Sequence, residues 1–137
     1  MILADSGVLI AAANHRDKHH QACEALVRQH RGALLVSPLT IAEVCHMIGK
    51  LAGPRGKAAF LDAFSAGALV LATVTSTDTA RMAALIREYP KLDLDGADSS
   101  IIALAERLGL DMVATIDRRD FTVVRPTHVP ALRLLPE

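Results

Sequence analysis

Short apolar runs alternate with stretches of helical periodicity along the whole chain. Ile2–Ala4 is an unbroken apolar triplet and predicts a short buried strand. Residues 7–13 predict a helix that stops near Asn14, and residues 14–18 a polar loop. Across 20–30, Ala22, Cys23, Leu26 and Val27 recur at helical spacing, and Gly32 closes that helix. Leu34–Val36 predicts a second buried strand. Ser37-Pro38 then has the signature of a helix start, with Ser37 as N-cap and Pro38 at the first helical position. That helix is predicted to bury Ile41, Val44, Cys45 and Ile48. The run Ala52-Gly53-Pro54-Arg55-Gly56 predicts a turn, followed by a helix over 57–66 that Gly67 stops. Residues 69–74 are rich in strand formers. Ser76 or Thr77 is placed as the cap of a helix running through Met82, Leu85 and Ile86 to Tyr89-Pro90. Residues 91–96 predict a loop and 97–108 a strongly amphipathic helix closed by Gly109. The remaining expectations are a strand over 112–116, a turn over 118–121 and a further short strand at 123–124.

Strands separated by helices imply a mainly parallel sheet with helices on both faces. The predicted fold is therefore a three-layer α/β/α domain occupying residues 1–137, with no internal repeat or linker. A chain of 137 residues can bury a real core but not two.

Composition adds three points. The hydrophobic fraction is 51%, slightly high for a soluble domain, and the mean hydropathy is +0.30. No apolar run approaches a membrane span, so the surplus is expected to cover a subunit or partner interface. The start Met1-Ile2-Leu3-Ala4-Asp5 lacks a basic region and meets an acid too early for a signal peptide, which predicts a cytoplasmic protein without membrane attachment. Cys23 and Cys45 are then expected to be reduced thiols on helices. His15, His19 and His20 lie near Cys23 but at no standard zinc spacing, and are read as part of a solvated loop leading into a helix.

The formal net charge is zero, which does not announce nucleic acid. Four acids, however, stand where a strand or loop hands over to a helix: Asp5, Glu43, Asp98 and Asp117. If they form one site, fifteen acids less four leaves eleven against fifteen Lys plus Arg, so the rest of the surface is basic. Arg outnumbers Lys, and Arg suits bidentate phosphate contacts, although genome composition accounts for the same bias.

Each acid alone has an ordinary reading. Asp5 would cap the first helix. Glu43 flanks the buried stripe of its helix, in line with Leu39 and Met47, where a solvated Glu is usual. Asp98 sits in a first helical turn, where the macrodipole favours an acid. It also lines up with Ile101, Ile102 and Ala105, and so faces the core or its rim. Asp117 would cap the short turn before Asp120 and Phe121, with Thr115 pointing the same way from the strand end. Together they gather at the carboxyl edge of the predicted sheet, where ligands of open α/β folds bind. Crowded carboxylates repel and raise one another's pKa unless a cation sits between them. Mg²⁺ or Mn²⁺ would relieve that repulsion, activate a water and stabilise charge on a phosphoryl oxygen.

The chain resembles the PIN-domain family, and within it the VapC-type toxins of bacterial toxin–antitoxin pairs. Four segments carry the resemblance: ILADSGVLIAA, VSPLTIAEVCHMIGK, GADSSIIALAERLG and VATIDRRDF. They place the family's acids on Asp5, Glu43, Asp98 and Asp117. The resemblance implies an Mg²⁺- or Mn²⁺-dependent endoribonuclease and a homodimer. It also implies inhibition by a cognate antitoxin and a structured RNA substrate such as tRNA or ribosomal RNA. Ser6 and Thr115 are expected to orient ligands or waters, and Arg118 and Arg119 to grip phosphates unless they are only solvated surface residues. Asp93 and Asp95, in LDLDG, depart from the commoner Pro and Gly of related sequences; they either add negative charge at the pocket rim or are only loop residues, and the loop reading is preferred.

Two other readings compete. A haloacid-dehalogenase-like phosphatase would use Asp5 as nucleophile, but such enzymes carry a second Asp where this chain has Gly7. A non-catalytic PIN-like module binding RNA or protein is the other, and the presence of all four acids gives it no support.

Overall fold

The computed structural model describes residues 1–137. Its elements run β1 (Ile2–Ala4), α1 (Ser6–Ala13), α2 (His20–Gln29), β2 (Leu34–Val36), α3 (Pro38–Ser65), β3 (Leu69–Leu71) and α4 (Ser76–Glu88). A 3₁₀ turn at Pro90–Leu92 leads to α5 (Gly96–Leu108), β4 (Met112–Ala114), α6 (Arg119–Val123) and β5 (Arg133–Leu135). The five strands form one sheet in the order β3-β2-β1-β4-β5, and every neighbouring pair is parallel.

Strand side chains alternate between the two faces, and the core divides accordingly. Ile2, Ala4, Leu34, Val36 and Ala114 pack under α1, α2 and α3, together with Val8, Leu26, Val44 and Ile48. Leu3, Leu35 and Val113 point the other way and pack under α4 and α5, against Leu85, Ile101, Ile102 and Leu104. The three-layer expectation is met.

The chain steps outward from β1 through β2 to β3, then crosses back to lay β4 on the other side of β1. The crevice at such a reversal opens beyond the carboxyl ends of the two strands flanking it. Here those strands are β1, which runs into Asp5, and β4, which runs into Thr115 and Asp117.

Several boundaries differ from the sequence expectation. The segment 52–56 is not an open turn: the helix resumes at once after a kink at Gly53, whose φ of 65° is a left-handed value. Gly tolerates that value, and Pro54 restarts the helix where its missing N–H costs little. The cap of α4 is Thr75, not Ser76 or Thr77. Thr75 Oγ1 accepts from Asp78 N while Asp78 Oδ2 accepts from Thr75 N, a reciprocal capping box. The predicted turn at 118–121 lies across the short helix α6, and residues 123–124 are not a strand, because Val123 ends that helix. The fifth strand is instead Arg133–Leu135, whose pattern of one exposed and two half-buried residues lacks a buried apolar run.

Candidate active site

Asp5 is the first residue beyond β1 and the N-cap of α1. Its Oδ1 accepts from Ser6 N at 2.8 Å, and its Oδ2 accepts from Thr115 Oγ1 at 3.0 Å. Only 8% of its surface is exposed. Burial pushes its carboxyl above the ordinary range, the Ser6 and Thr115 donors pull it back, and the charges of Asp95 and Asp117 push it up again; the net shift is upward.

Glu43 lies one turn into α3, whose start is fixed by Ser37. The Ser37 hydroxyl accepts from Leu39 N at 3.3 Å. Ser100 Oγ donates to Ala97 O, which leaves the Ser37 hydroxyl to donate to Ser100 Oγ at 2.7 Å. That buried bond ties the start of α3 to the first turns of α5. The two helices also approach closely at Gly96, where a Cβ would lie 2.7 Å from Leu39 Cδ2. Glu43 and Asp98 are thereby brought to one cleft from segments far apart in sequence.

Asp98 is in the first turn of α5 and half-buried. The N-cap of that helix is Asp95, whose Oδ1 accepts from Asp98 N at 2.7 Å. The Asp98 carboxyl is pushed up to about 7, first by burial, then by the charges of Asp95 and Asp5 and by a side-chain hydrogen bond with Asp95. Glu43 is also raised. Partial burial is the largest cause; a hydrogen bond from Ser6 offsets it, and Asp95 and Asp5 add to it.

Asp117 stands exposed beyond β4, with its backbone oxygen near the same Thr115 hydroxyl at 2.9 Å. Its cap to α6 is weak: Arg119 N reaches Asp117 Oδ1 only at 3.4 Å, and Arg118 is the N-cap residue.

All four acids line one cavity of about 450 Å³, together with Ser6, Gly7, Ile10, Asp17, His19, Asp95 and Ile116. The reading of Asp95 as a loop residue alone is corrected: it caps α5 and its carboxylate belongs to this cavity. Its signal was present in the sequence as an acid three residues before Asp98, the spacing of an N-cap. Asp17 and His19 were also missed, and nothing in their local pattern distinguishes them from a polar loop. Arg118 and Arg119 are exposed and do not line the cavity. The Arg118 guanidinium donates to Pro136 O, and Arg119 lowers the otherwise raised Asp120. Cys23 and Cys45 are free thiols, and the burial of Cys23 raises its pKa.

The carboxylates do not stand in contact as a cluster. No three His, Cys, Asp or Glu side chains are arranged to grip one ion.

The PIN domain family model matches residues 2–125. The chain belongs to the PIN-domain family. It is 26% identical over 135 residues to ribonuclease VapC26 of Mycobacterium tuberculosis, covering 98% of this chain and all of that one. Among solved structures, the sarcin-ricin loop cleaving toxin VapC20 of M. tuberculosis superposes with a TM-score of 0.82 at 16% identity, covering 94% of this chain and 98% of that one. A toxin–antitoxin complex from Klebsiella pneumoniae contains a chain that superposes with a TM-score of 0.70 at 20% identity, covering 97% and 100%. No helix is long and apolar enough to cross a membrane.

Proposed function

We propose that this PIN-domain chain is a metal-dependent endoribonuclease and the toxin of a toxin–antitoxin pair. One observation carries the reading. Asp5, Glu43, Asp98 and Asp117 arrive from four separate elements at one cavity, and three of the four have carboxyls raised by burial and by one another. Acids that raise one another's pKa inside a cleft are the arrangement expected of a functional site, and a cation would relieve their repulsion.

The donor set fits Mg²⁺ or Mn²⁺: carboxylate oxygens dominate and no thiolate lines the cavity. Asp5, Glu43 and Asp98 would hold the ion, with Asp117 completing the site directly or through water. When bound, the ion supplies an activated water and charge stabilisation on the phosphoryl oxygens. The chain's own residues do the rest. Thr115 and the Ser6 amide fix the orientation of the Asp5 carboxylate. Ser6, at the start of α1, also lowers the cost of ionising Glu43 on α3. The bond between Ser37 and Ser100 ties together the helix starts that carry Glu43 and Asp98 to the cavity. The phosphodiester of RNA is the substrate, in keeping with the ribonuclease to which the chain is similar. A small cognate antitoxin is the partner, as the toxin–antitoxin complexes among its structural neighbours suggest. A homodimer and a cytoplasmic location complete the proposal.

The test is cleavage of total RNA by the purified protein in Mg²⁺ or Mn²⁺, with and without EDTA, beside Asp5→Asn. Asparagine keeps the helix cap and removes the charge. Cleavage that EDTA abolishes and that Asp5→Asn lacks supports the reading. Cleavage unaffected by both would sink it.

A further inference from the structure

His19 belongs to no part of the reaction described so far, yet it lines the acid cavity. Among the side chains of that cavity it alone can carry positive charge; the ionisable others are Asp5, Asp17, Glu43, Asp95, Asp98 and Asp117. It also lines a second cavity of about 400 Å³, walled by Ala22, Thr115, Ile116, Arg118, Pro136 and Glu137. His19 and Ile116 are thus the shared wall between the acid cavity and a neighbouring cleft that contains an arginine.

The position of His19 is fixed by its backbone. Its N–H donates to Asp17 Oδ1 at 2.8 Å, its carbonyl accepts from Cys23 N at 3.0 Å, and it is the N-cap residue of α2. Its ring, by contrast, makes no hydrogen bond within the protein. The adjacent His20 shows the opposite arrangement. One ring nitrogen of His20 is held by Ala11 O at 2.8 Å and the other lies 3.2 Å from Glu24. One histidine of the pair is therefore consumed by the structure, while the other has its backbone held and both ring nitrogens without a partner in the protein.

We infer that His19 binds the RNA strand next to the cleaved phosphate, where the strand leaves the acid cavity and passes into the cleft of Arg118. This inference rests on the ribonuclease reading and deepens it. A strand whose phosphate enters a pocket of carboxylates must continue past one wall of it. On this side the wall offers Ile116, an apolar surface for a base, and His19, which can stack on a base or donate to a phosphate. Arg118 then meets the next part of the backbone, exchanging its bond to Pro136 O for a phosphate oxygen, a stronger acceptor. Glu137, the other charged residue of this cleft, is exposed and opposes this contact by its charge. His19 acts on the bound strand and not on the bond being broken, so its loss should weaken binding more than turnover.

The experiment compares His19→Ala and His19→Gln with His46→Ala, an exposed histidine on α3 outside both cavities. Cleavage of a fluorescent RNA oligonucleotide gives kcat and KM. Fluorescence anisotropy, with each change placed in an Asp98→Asn background, gives Kd for the uncleaved strand. Removing one stacking or charge-assisted contact should raise KM and Kd about tenfold in His19→Ala, with kcat within about twofold. His19→Gln should recover part of the loss, and His46→Ala should match its parent. Unchanged Kd in His19→Ala overturns the inference, as does a fall confined to kcat. A parent protein that binds RNA without cleaving it would defeat the ribonuclease reading alone, because the Kd comparison still decides the role of His19. A parent that binds no RNA overturns both.

Discussion

Thr115 Oγ1 donates to Asp5 Oδ2 at 3.0 Å across 110 residues of sequence. The bond joins the ends of β4 and β1 at the point where the sheet reverses its order, and Thr115 itself is fully buried. The same hydroxyl lies 2.9 Å from Asp117 O, so its single proton is divided between the two ends of the site. Thr115→Val keeps the shape and strand propensity and removes that donor. We expect a loss of about 1–2 kcal/mol at pH 8, where the ionised form of Asp5 needs the donor most. At pH 5 the deficit should be smaller than at pH 8, because the upward shift of Asp5 favours its protonated form as pH falls. Urea denaturation at both pH values measures this, and an equal deficit at both would rule out the link to Asp5.

The metal-free protein should lose stability as pH rises from acid to neutral. Asp5, Glu43 and Asp98 all have carboxyls raised in the folded state, Asp98 to about 7. A raised acid binds its proton more tightly when folded than when unfolded. Its contribution is therefore fully present below the unfolded pKa and is lost as pH climbs through the folded value. For Asp98 the window runs from the ordinary carboxylate range to about 7. In EDTA, Tm should fall across this window, and Asp98→Asn should flatten the fall. Millimolar Mn²⁺ at pH 7.5 should raise Tm by mass action in the wild type and much less in Asp5→Asn. A Tm in EDTA that climbs from pH 5 to pH 7.5 would contradict the electrostatics of the cavity.

Asp78 shows the opposite behaviour. Asp78 is buried on the far layer, and Arg107 Nε reaches its oxygens at 2.9 and 3.0 Å while Thr75 N adds a third bond. Burial raises its pKa, but the bonds from Arg107 and Thr75 outweigh this and the net shift is downward. Arg107 also donates to Thr73 O, so the pair ties α5 to the chain entering α4. Asp78→Ala breaks the capping box and strands a guanidinium that is itself about one-third exposed. The cost should be about 2 kcal/mol, below the full cost of breaking a buried pair because water reaches Arg107. A depressed carboxyl contributes above its unfolded pKa, and the contribution is lost as pH falls through the folded value. The deficit of Asp78→Ala should therefore be constant from pH 5 to pH 8 and close below about pH 4. A deficit that grows below pH 4 would contradict this assignment.

What was legible in the sequence follows from what each element needed. β1, β2 and β4 are central and buried on both faces, and their continuous apolar runs announced them. β5 is an edge strand whose Arg133 is exposed, so it lacked both a continuous run and a clean alternation. Val123-Val124 imitated a strand because Val124 is a core residue under β4, while helix formation there is decided by the turn from Arg118. The four acids were legible because motif and topology agreed. Asp17 and His19 reach the cavity only through the fold of the loop before α2, which no local periodicity encodes. The preference for Asp95 as a loop residue arose because its setting, Leu92-Asp93-Leu94-Asp95-Gly96, looks like a loop until the start of α5 is placed at Gly96.

The apolar surplus of the chain remains exposed in places. Leu71 on the edge strand β3 is 60% exposed, and Leu51, Leu61, Ile86 and Leu108 are also largely open. A domain of this size with such surface is expected to self-associate. Light scattering at micromolar concentration should give about twice 14.6 kDa. A monomeric mass would overturn the dimer.

The sharpest test of the site is Asp98→Asn, compared with two other changes. Asparagine at 98 is nearly isosteric, and the α5 cap is untouched because Asp95 provides it. If Asp98 served only the helix dipole, its neutralisation would cost about 0.3–1 kcal/mol and leave RNA cleavage intact. As a ligand it should lose cleavage at least a hundredfold, while the metal-free fold is kept or stabilised by relief from Asp95 and Asp5. Asp62→Asn is the neutral control, an exposed acid on α3 whose side chain makes no hydrogen bond. Asp95→Asn is the informative intermediate. It keeps a good cap but removes the charge that, after burial, does most to raise Asp98. Asp98 should then titrate lower, and cleavage should fall without vanishing. Full cleavage by Asp98→Asn, in preparations from which the Asp5→Asn protein shows none, would remove this residue from the site. It would also leave the raised carboxyl at α5 without a functional reason.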